Sequence, residues 1–147
     1  MTKKILLLFI VLLSANRAMT QEKHFKEVLT SKTWKVDVEA MKPSLLIKIG
    51  SVPEMAKLSS EEKEIVIKSL LSTFEKMKYS FFDDFTQQLS IGEKITSGKY
   101  TISENQEQLT LTYDNKNESF SVLKFEEIKI FLKNNKTGTD LILTTIN

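Results

Sequence analysis

No cysteine occurs anywhere in the chain. That removes disulfides, zinc–thiolate sites, thiol nucleophiles and any lipid anchor made on a cysteine. Histidine occurs once, as His24, near the start expected for the mature chain, so a histidine-rich metal site or a Ser-His-Asp triad is hard to build. Arginine also occurs once, as Arg17, inside an N-terminal stretch that reads as a leader. Motifs that announce chemistry are missing as well. There is no phosphate-cradling glycine loop, no Gly-x-Ser-x-Gly elbow, no His-Glu-x-x-His pair and no calcium loop with its glycine.

What is present suits one domain: 147 residues, 41% hydrophobic and 27% charged. Lys3 and Lys4 precede nine consecutive apolar residues, Ile5 to Leu13, and small or polar residues follow from Ser14 to Thr20. This is the pattern of a signal peptide, and its apolar run falls short of the roughly 20 residues a spanning helix needs. Ala18 and Thr20 fit the −3 and −1 positions of a cleavage site, which puts the mature start at Gln21. Cleavage after Ala18 and an uncleaved anchor are the alternatives. The expected domains are therefore a leader over 1–20 and one folded unit over 21–147, exported to a periplasmic or extracellular compartment without a stable membrane anchor. Losing the leader takes away Lys3, Lys4 and Arg17 and no acid, so the formal charge passes from +2 to 18 basic against 19 acidic residues. All 18 remaining basic residues are lysine. Without arginine's bidentate fork, nucleic-acid and strong phosphate recognition are disfavoured.

Hydrophobic periodicity organises the rest. Phe25, Val28 and Leu29 lie at helical spacing in the polar segment 21–31. Thr33 to Glu39 alternates, with Trp34, Val36 and Val38 on one face, and predicts a half-buried strand that Pro43 brings to an end. Leu45 to Leu58, broken by Gly50 and Pro53, reads as loop or short helix. Ser59 and Glu62 fit a capping box, and Ile67, Leu70, Leu71, Phe74 and Met77 then share one face of a helix from Ser60 to Lys78. Glu61, Glu62 and Glu64 serve the positive end of that helix better than they would serve a metal ion.

From Tyr79 onward the period is two. Strands are expected at Tyr79–Asp84, Thr86–Ile91, Gly98–Ser103, Gln108–Tyr113, Ser119–Phe125, Ile128–Lys133 and Asp140–Ile146, separated by turn clusters such as Asp83-Asp84 and Asp114-Asn115-Lys116-Asn117. Asp83 and Asp84 would point to opposite faces of a strand, a poor acid–base pair, and suit a turn better. Asn117-Glu118-Ser119 and Asn135-Lys136-Thr137 match glycosylation sequons and also read as turn residues. Counting the Trp34 strand gives eight. With gaps this short they favour a mainly β fold, an eight-stranded antiparallel up-and-down barrel with a helical insert between its first two strands, over a sandwich. Inward faces follow from phase: Tyr100 with Ile102; Leu109, Leu111 and Tyr113; Ile128, Ile130 and Leu132. The phase switch from Phe120-Val122 to Leu123-Phe125 marks a bulge.

Two stretches carry a family resemblance. Leu29-Thr30-Ser31-Lys32-Thr33-Trp34 resembles the L-x-x-G-x-W opening of lipocalins and small secreted bacterial lipocalin-like proteins. Ser97-Gly98-Lys99-Tyr100-Thr101-Ile102 with Leu109-Thr110-Leu111 is similar to their G-x-W/Y-x-I…L-x-L stretch. Lys32 stands where that family has glycine, and the arginine that often packs on the lipocalin tryptophan has no counterpart. The helical insert is similar to the lid of fatty-acid-binding proteins, which commonly fix a carboxylate with arginine, absent here. The resemblance implies a calycin-type barrel with binding potential and leaves the ligand open.

The expected function is that of a secreted lipocalin-like binding protein for a small, largely apolar ligand or lipid, with no catalysis and no cofactor or metal. The alternative is a protein-interaction or inhibitor module with a filled barrel, and an enzyme is the third class. Candidate ligand-binding residues are Trp34, Leu70, Phe74, Tyr100 and Tyr113, with the 60–78 helix across or beside the barrel mouth. Lys99 would meet an acidic head group if it lay at the rim.

Overall fold

The computed structural model describes residues 25–146. The expected leader over 1–20, the start at Gln21 and His24 lie outside the described residues. Eight strands form one closed barrel in sequence order, each antiparallel to the next: β1 (Thr33–Val36), β2 (Met77–Phe81), β3 (Thr86–Ile91), β4 (Lys94–Ile102), β5 (Gln108–Tyr113), β6 (Lys116–Phe125), β7 (Lys129–Asn134) and β8 (Asp140–Thr145). β1 pairs with both β2 and β8, Trp34 lying opposite Tyr79 on one side and Thr145 on the other. Closure leaves no unpaired strand edge. Helix α1, residues 25–30, precedes β1. The insert between β1 and β2 holds α2 (Val38–Gly50), α3 (Pro53–Ala56) and α4 (Ser60–Glu75).

Turn chemistry sets the hairpins. The β5–β6 connection is the dipeptide Asp114-Asn115, with φ of 43° and 64°. Two successive positive φ angles define the hairpin turn whose twist matches the strands, and Asp and Asn tolerate them. Lys116 and Asn117, expected in the turn, therefore already belong to β6. Gly92 supplies the positive φ of the β3–β4 turn. The expected bulge is present: the β6–β7 register shifts between Val122 and Lys124, which leaves Leu123 unpaired and exposed.

Alternation fills the barrel. Trp34, Phe81, Tyr100, Leu109, Leu111, Ile130, Leu132 and Leu143 point inward and are buried. α1 closes the end where β1 begins, burying Phe25 and Leu29 completely. The Phe25 ring packs 4.7 Å from that of Phe125. Trp34 is 0% exposed, and its indole N–H donates to the Leu29 carbonyl at 2.9 Å. Lys26 bridges the same end to the β2–β3 turn, donating to the Asp83 carbonyl at 2.8 Å with its ammonium over the Phe85 ring.

The structure corrects or resolves several expectations. The first strand stops at Val36 rather than Glu39, because the Asp37 carboxylate accepts the Ala40 N–H and caps α2. Pro43 consequently lies inside α2 and terminates no strand. The ambiguous 45–58 stretch is the second half of α2 followed by α3. α4 ends at Glu75, so Met77 belongs to β2 and not to the helix face. Ile128 precedes β7 and is 59% exposed, outside the inward row of Ile130 and Leu132.

Candidate functional site

The barrel's other end carries the insert and the β3–β4, β5–β6 and β7–β8 turns, as the strand directions require. α2 is anchored there by Val38, Met41 and Leu45, all buried. Asp37, at its N-cap, adds an ion pair to Lys129 of β7 at 2.9 Å. That partner, with the N-cap hydrogen bond, holds the Asp37 carboxyl below the usual carboxylate range. α4 is held differently. Its capping box is complete, with Ser59 Oγ accepting the Glu62 N–H and the Glu62 carboxylate accepting the Ser59 N–H. No residue of α4 is fully buried. Leu71 and Phe74 reach the core only in part.

Between this helical cover and the strand ends lies a cavity of about 280 Å³, near the lower edge of the ~300–1,000 Å³ usual for small-molecule pockets. Its apolar wall comes from Met41 of α2, Phe74 of α4, Met77 and Tyr79 of β2, Phe120 of β6 and Leu141 of β8. Its polar wall is Glu118, Asn134, Thr137, Thr139 and Asp140, from β6 and the β7–β8 hairpin. Two other hollows of similar size lie elsewhere, one along the 122–125 bulge and one around Asp37. The first lies away from the insert, and the second is lined mainly by the polar residues Lys35, Asp37, Glu39, Glu75 and Thr144.

Polar groups continue inward behind the cavity wall. Burial pushes the Tyr79 hydroxyl well above its ordinary range, and the Tyr113 hydroxyl and the Glu118 carboxylate beside it add to the effect. Burial also raises Tyr113, while the nearby Gln87 carboxamide acts against that rise. Gln87 points inward between Phe81 and Gly98 and is fully buried. Neither its carboxamide nitrogen and oxygen nor the Tyr113 hydroxyl has a hydrogen-bond partner among the described residues. A buried unsatisfied polar group costs about 1–3 kcal/mol. The proximity of Gln87 to Tyr113 thus marks a polar spot within an apolar barrel. Gly98 makes room for it: a Cβ there would sit 2.0 Å from the Thr112 carbonyl oxygen and 2.8 Å from Gln87 Nε2.

The five candidate residues separate in space. Phe74 lines the cavity. Tyr113 stands behind its wall. Leu70 lies on α4 and is 37% exposed. Trp34 is part of the packed interior beside α1. Tyr100 is buried with its hydroxyl donating to the Phe82 carbonyl at 2.8 Å, and burial together with Asp83 and Asp84 pushes it up to about 12. Lys99 is exposed on the outer wall, opposite Thr86 and Thr112, and does not reach the cavity. Sequence reasoning missed Glu118 and Phe120 of β6, Met41 and Leu141. Counting the β6 alternation back from Phe120 would have placed Glu118 inward; Met41 and Leu141 carry no local signal for this end.

No group of three or more potential metal-ligating side chains occurs among the described residues. None of their helices is long and apolar enough to cross a membrane. No protein-family model matches the chain, and no curated protein matches it. Among solved structures it is similar to a DUF4847 family protein from Bacteroides vulgatus, at 12% identity and a TM-score of 0.54, over 82% of this chain and 96% of that one. This likeness shows the barrel fold, and no match supports membership of the lipocalins.

Proposed function

We propose that the protein is an exported, lipocalin-like binding protein that holds a small, largely apolar ligand at the helix-covered barrel mouth and performs no catalysis. The observation that carries this reading is the cavity itself, walled by Met41, Phe74, Met77, Phe120 and Leu141 where the interior gives way to the insert. Affinity comes from burying apolar ligand surface, at ~25 cal/mol per Å² before association costs are met. Phe74 and Met77 flank the junction of α4 and β2, so ligand entry moves α4, a helix without a fully buried residue. The test is native mass spectrometry on protein purified without detergent, before and after adding back lipid extracts. A retained small molecule of defined mass supports the reading, and an unliganded protein under both conditions contradicts it.

A specific observation favours a second reading, an interaction or inhibitor module. α2 and α4 expose Ile47 (76%) and Ile65 (67%), with Leu46, Val66 and Leu70 also exposed. Large apolar side chains exposed on two helices that pack against each other are a candidate partner-binding surface. Under that reading, polar substitution of Ile47 and Ile65 abolishes partner binding and leaves ligand retention unaffected.

A further inference from the structure

We propose that Tyr79, Tyr113 and Gln87 form the inner, polar end of this cavity and receive the head group of its ligand: an uncharged group that both donates and accepts hydrogen bonds, a primary amide being the best match. The inference rests on the ligand-binding reading above and adds the head-group chemistry. Tyr79 is the member that reaches the cavity, whose wall it lines while only 5% exposed. Its hydroxyl makes no hydrogen bond among the described residues. Behind it, both polar atoms of the fully buried Gln87 and the Tyr113 hydroxyl are also without a partner there. Strand register puts the three together. Gln87 lies opposite Phe81, whose ring stacks 6.3 Å from that of Tyr79. On its other side Gln87 lies opposite Gly98, which sits against Thr112, the residue before Tyr113. The mutual influence of Tyr79 with Tyr113, and of Tyr113 with Gln87, reflects the same closeness.

The fold alone does not call for these groups. Leucine or isoleucine fills the neighbouring inward positions, such as Leu109, Leu111 and Ile130, whereas an unpartnered carboxamide in the same interior is costly. The barrel nevertheless makes room for it, since a Cβ at Gly98 would come within 2.8 Å of Gln87 Nε2. The character of the three groups selects the head group. A carboxamide does not titrate, and burial raises both tyrosines, so all three are neutral. No lysine lines the cavity among the described residues. An ionised carboxylate or phosphate would therefore lose its hydration without gaining a counter-charge, and an ammonium at the same depth would meet only neutral acceptors. A primary amide has one acceptor oxygen and two donor hydrogens, the complement of the Gln87 carboxamide, and the phenols supply the remaining partners. The apolar body of such a ligand lies against Phe74 and Phe120.

The experiment titrates the protein at neutral pH with hexanamide, 1-chlorohexane, hexylammonium and hexanoate, followed by NMR, and repeats the series on Tyr79→Phe and on the Gln87→Leu, Tyr113→Phe double variant. Hexanamide is expected to bind about tenfold tighter than 1-chlorohexane, which has the same apolar body and no hydrogen-bonding head, with both ions weaker than hexanamide. The double variant loses that advantage and binds 1-chlorohexane as before, which also shows that it is folded. If 1-chlorohexane binds and hexanamide is no tighter, or if the advantage survives in the double variant, the polar subsite is overturned while the apolar cavity stands. If the double variant binds nothing, Tyr79→Phe decides: a reduced hexanamide advantage supports the subsite, and an undiminished one overturns it. If hexylammonium or hexanoate binds best, the neutral head group is overturned. If none of the four binds the unmodified protein, the ligand-binding reading falls and takes this inference with it.

Discussion

The two ends of the barrel are closed by different means. At one end α1 buries Phe25, Val28 and Leu29, and Trp34 ties itself to α1 through the Leu29 carbonyl. Each such side chain contributes ~1.5–3 kcal/mol by leaving water. At the other end α4 is well capped and buries no residue fully, and it covers a cavity. The difference teaches where a barrel of this size can spend stability on access. Dense packing marks the α1 end, and on the proposed binding function the partly buried α4 is the cover that opens.

The sharpest way to break this comparison is Trp34→Ala. Removing the large buried aromatic and its hydrogen bond is expected to cost ~3–5 kcal/mol in urea unfolding; a loss below ~1 kcal/mol would mean that the α1 end does not carry the stability. Gly98→Ala tests the tight middle of the barrel. Its Cβ meets the Thr112 carbonyl at 2.0 Å, a backbone atom that cannot swing aside, so a loss of about 1–3 kcal/mol is expected. Unchanged thermal stability would show that the strands there have room.

Asp37→Ala probes the hinge between β1 and α2. Cap and ion pair together are worth about 1–2 kcal/mol after allowance for solvent screening. Because the Asp37 carboxyl is lowered in the folded state, its contribution is present above the unfolded carboxylate range and is lost as pH falls through the folded value. The variant should therefore track wild type more closely below about pH 4 than at neutral pH, the unfolded aspartate titrating near 3.9. A constant difference at all pH values would remove the ion pair from the account. Ser59→Ala has the smallest global effect, ~0.5 kcal/mol in overall unfolding, because the helix it caps is thinly buried. Its local effect is larger. Hydrogen exchange across α4 should speed up while β5 and β7 stay protected, and equal acceleration in the strands would couple α4 to the core.

Much of this architecture was legible in the sequence, for identifiable reasons. β3 and β5 fall where alternation over Thr86–Ile91 and Gln108–Tyr113 is bounded by turn-forming residues. The bulge was visible because Leu123 breaks the phase of Phe120 and Val122. The β1–α2 boundary was not, since Val36 and Val38 alternate equally well as strand or as strand followed by helix, and only the Asp37 side chain decides. The site was legible in part. Phe74 follows from the helical stripe, whereas Glu118 was hidden by the polar start of β6, which resembles a turn. Met41 and Leu141 meet only through long-range closure, which no local pattern encodes.

The central claim is that the α4-covered mouth takes an apolar ligand while the α1 end stays sealed, and the methionines report on it directly. Met41 and Met77 line the cavity, and Met55 lies on α3 away from it. With the methionine methyl groups isotopically labelled, titration with octan-1-ol followed by NMR should shift Met41 and Met77 in a saturable manner and leave Met55 in place. Saturable shifts confined to Met55, or no saturable shift at all, would contradict the account.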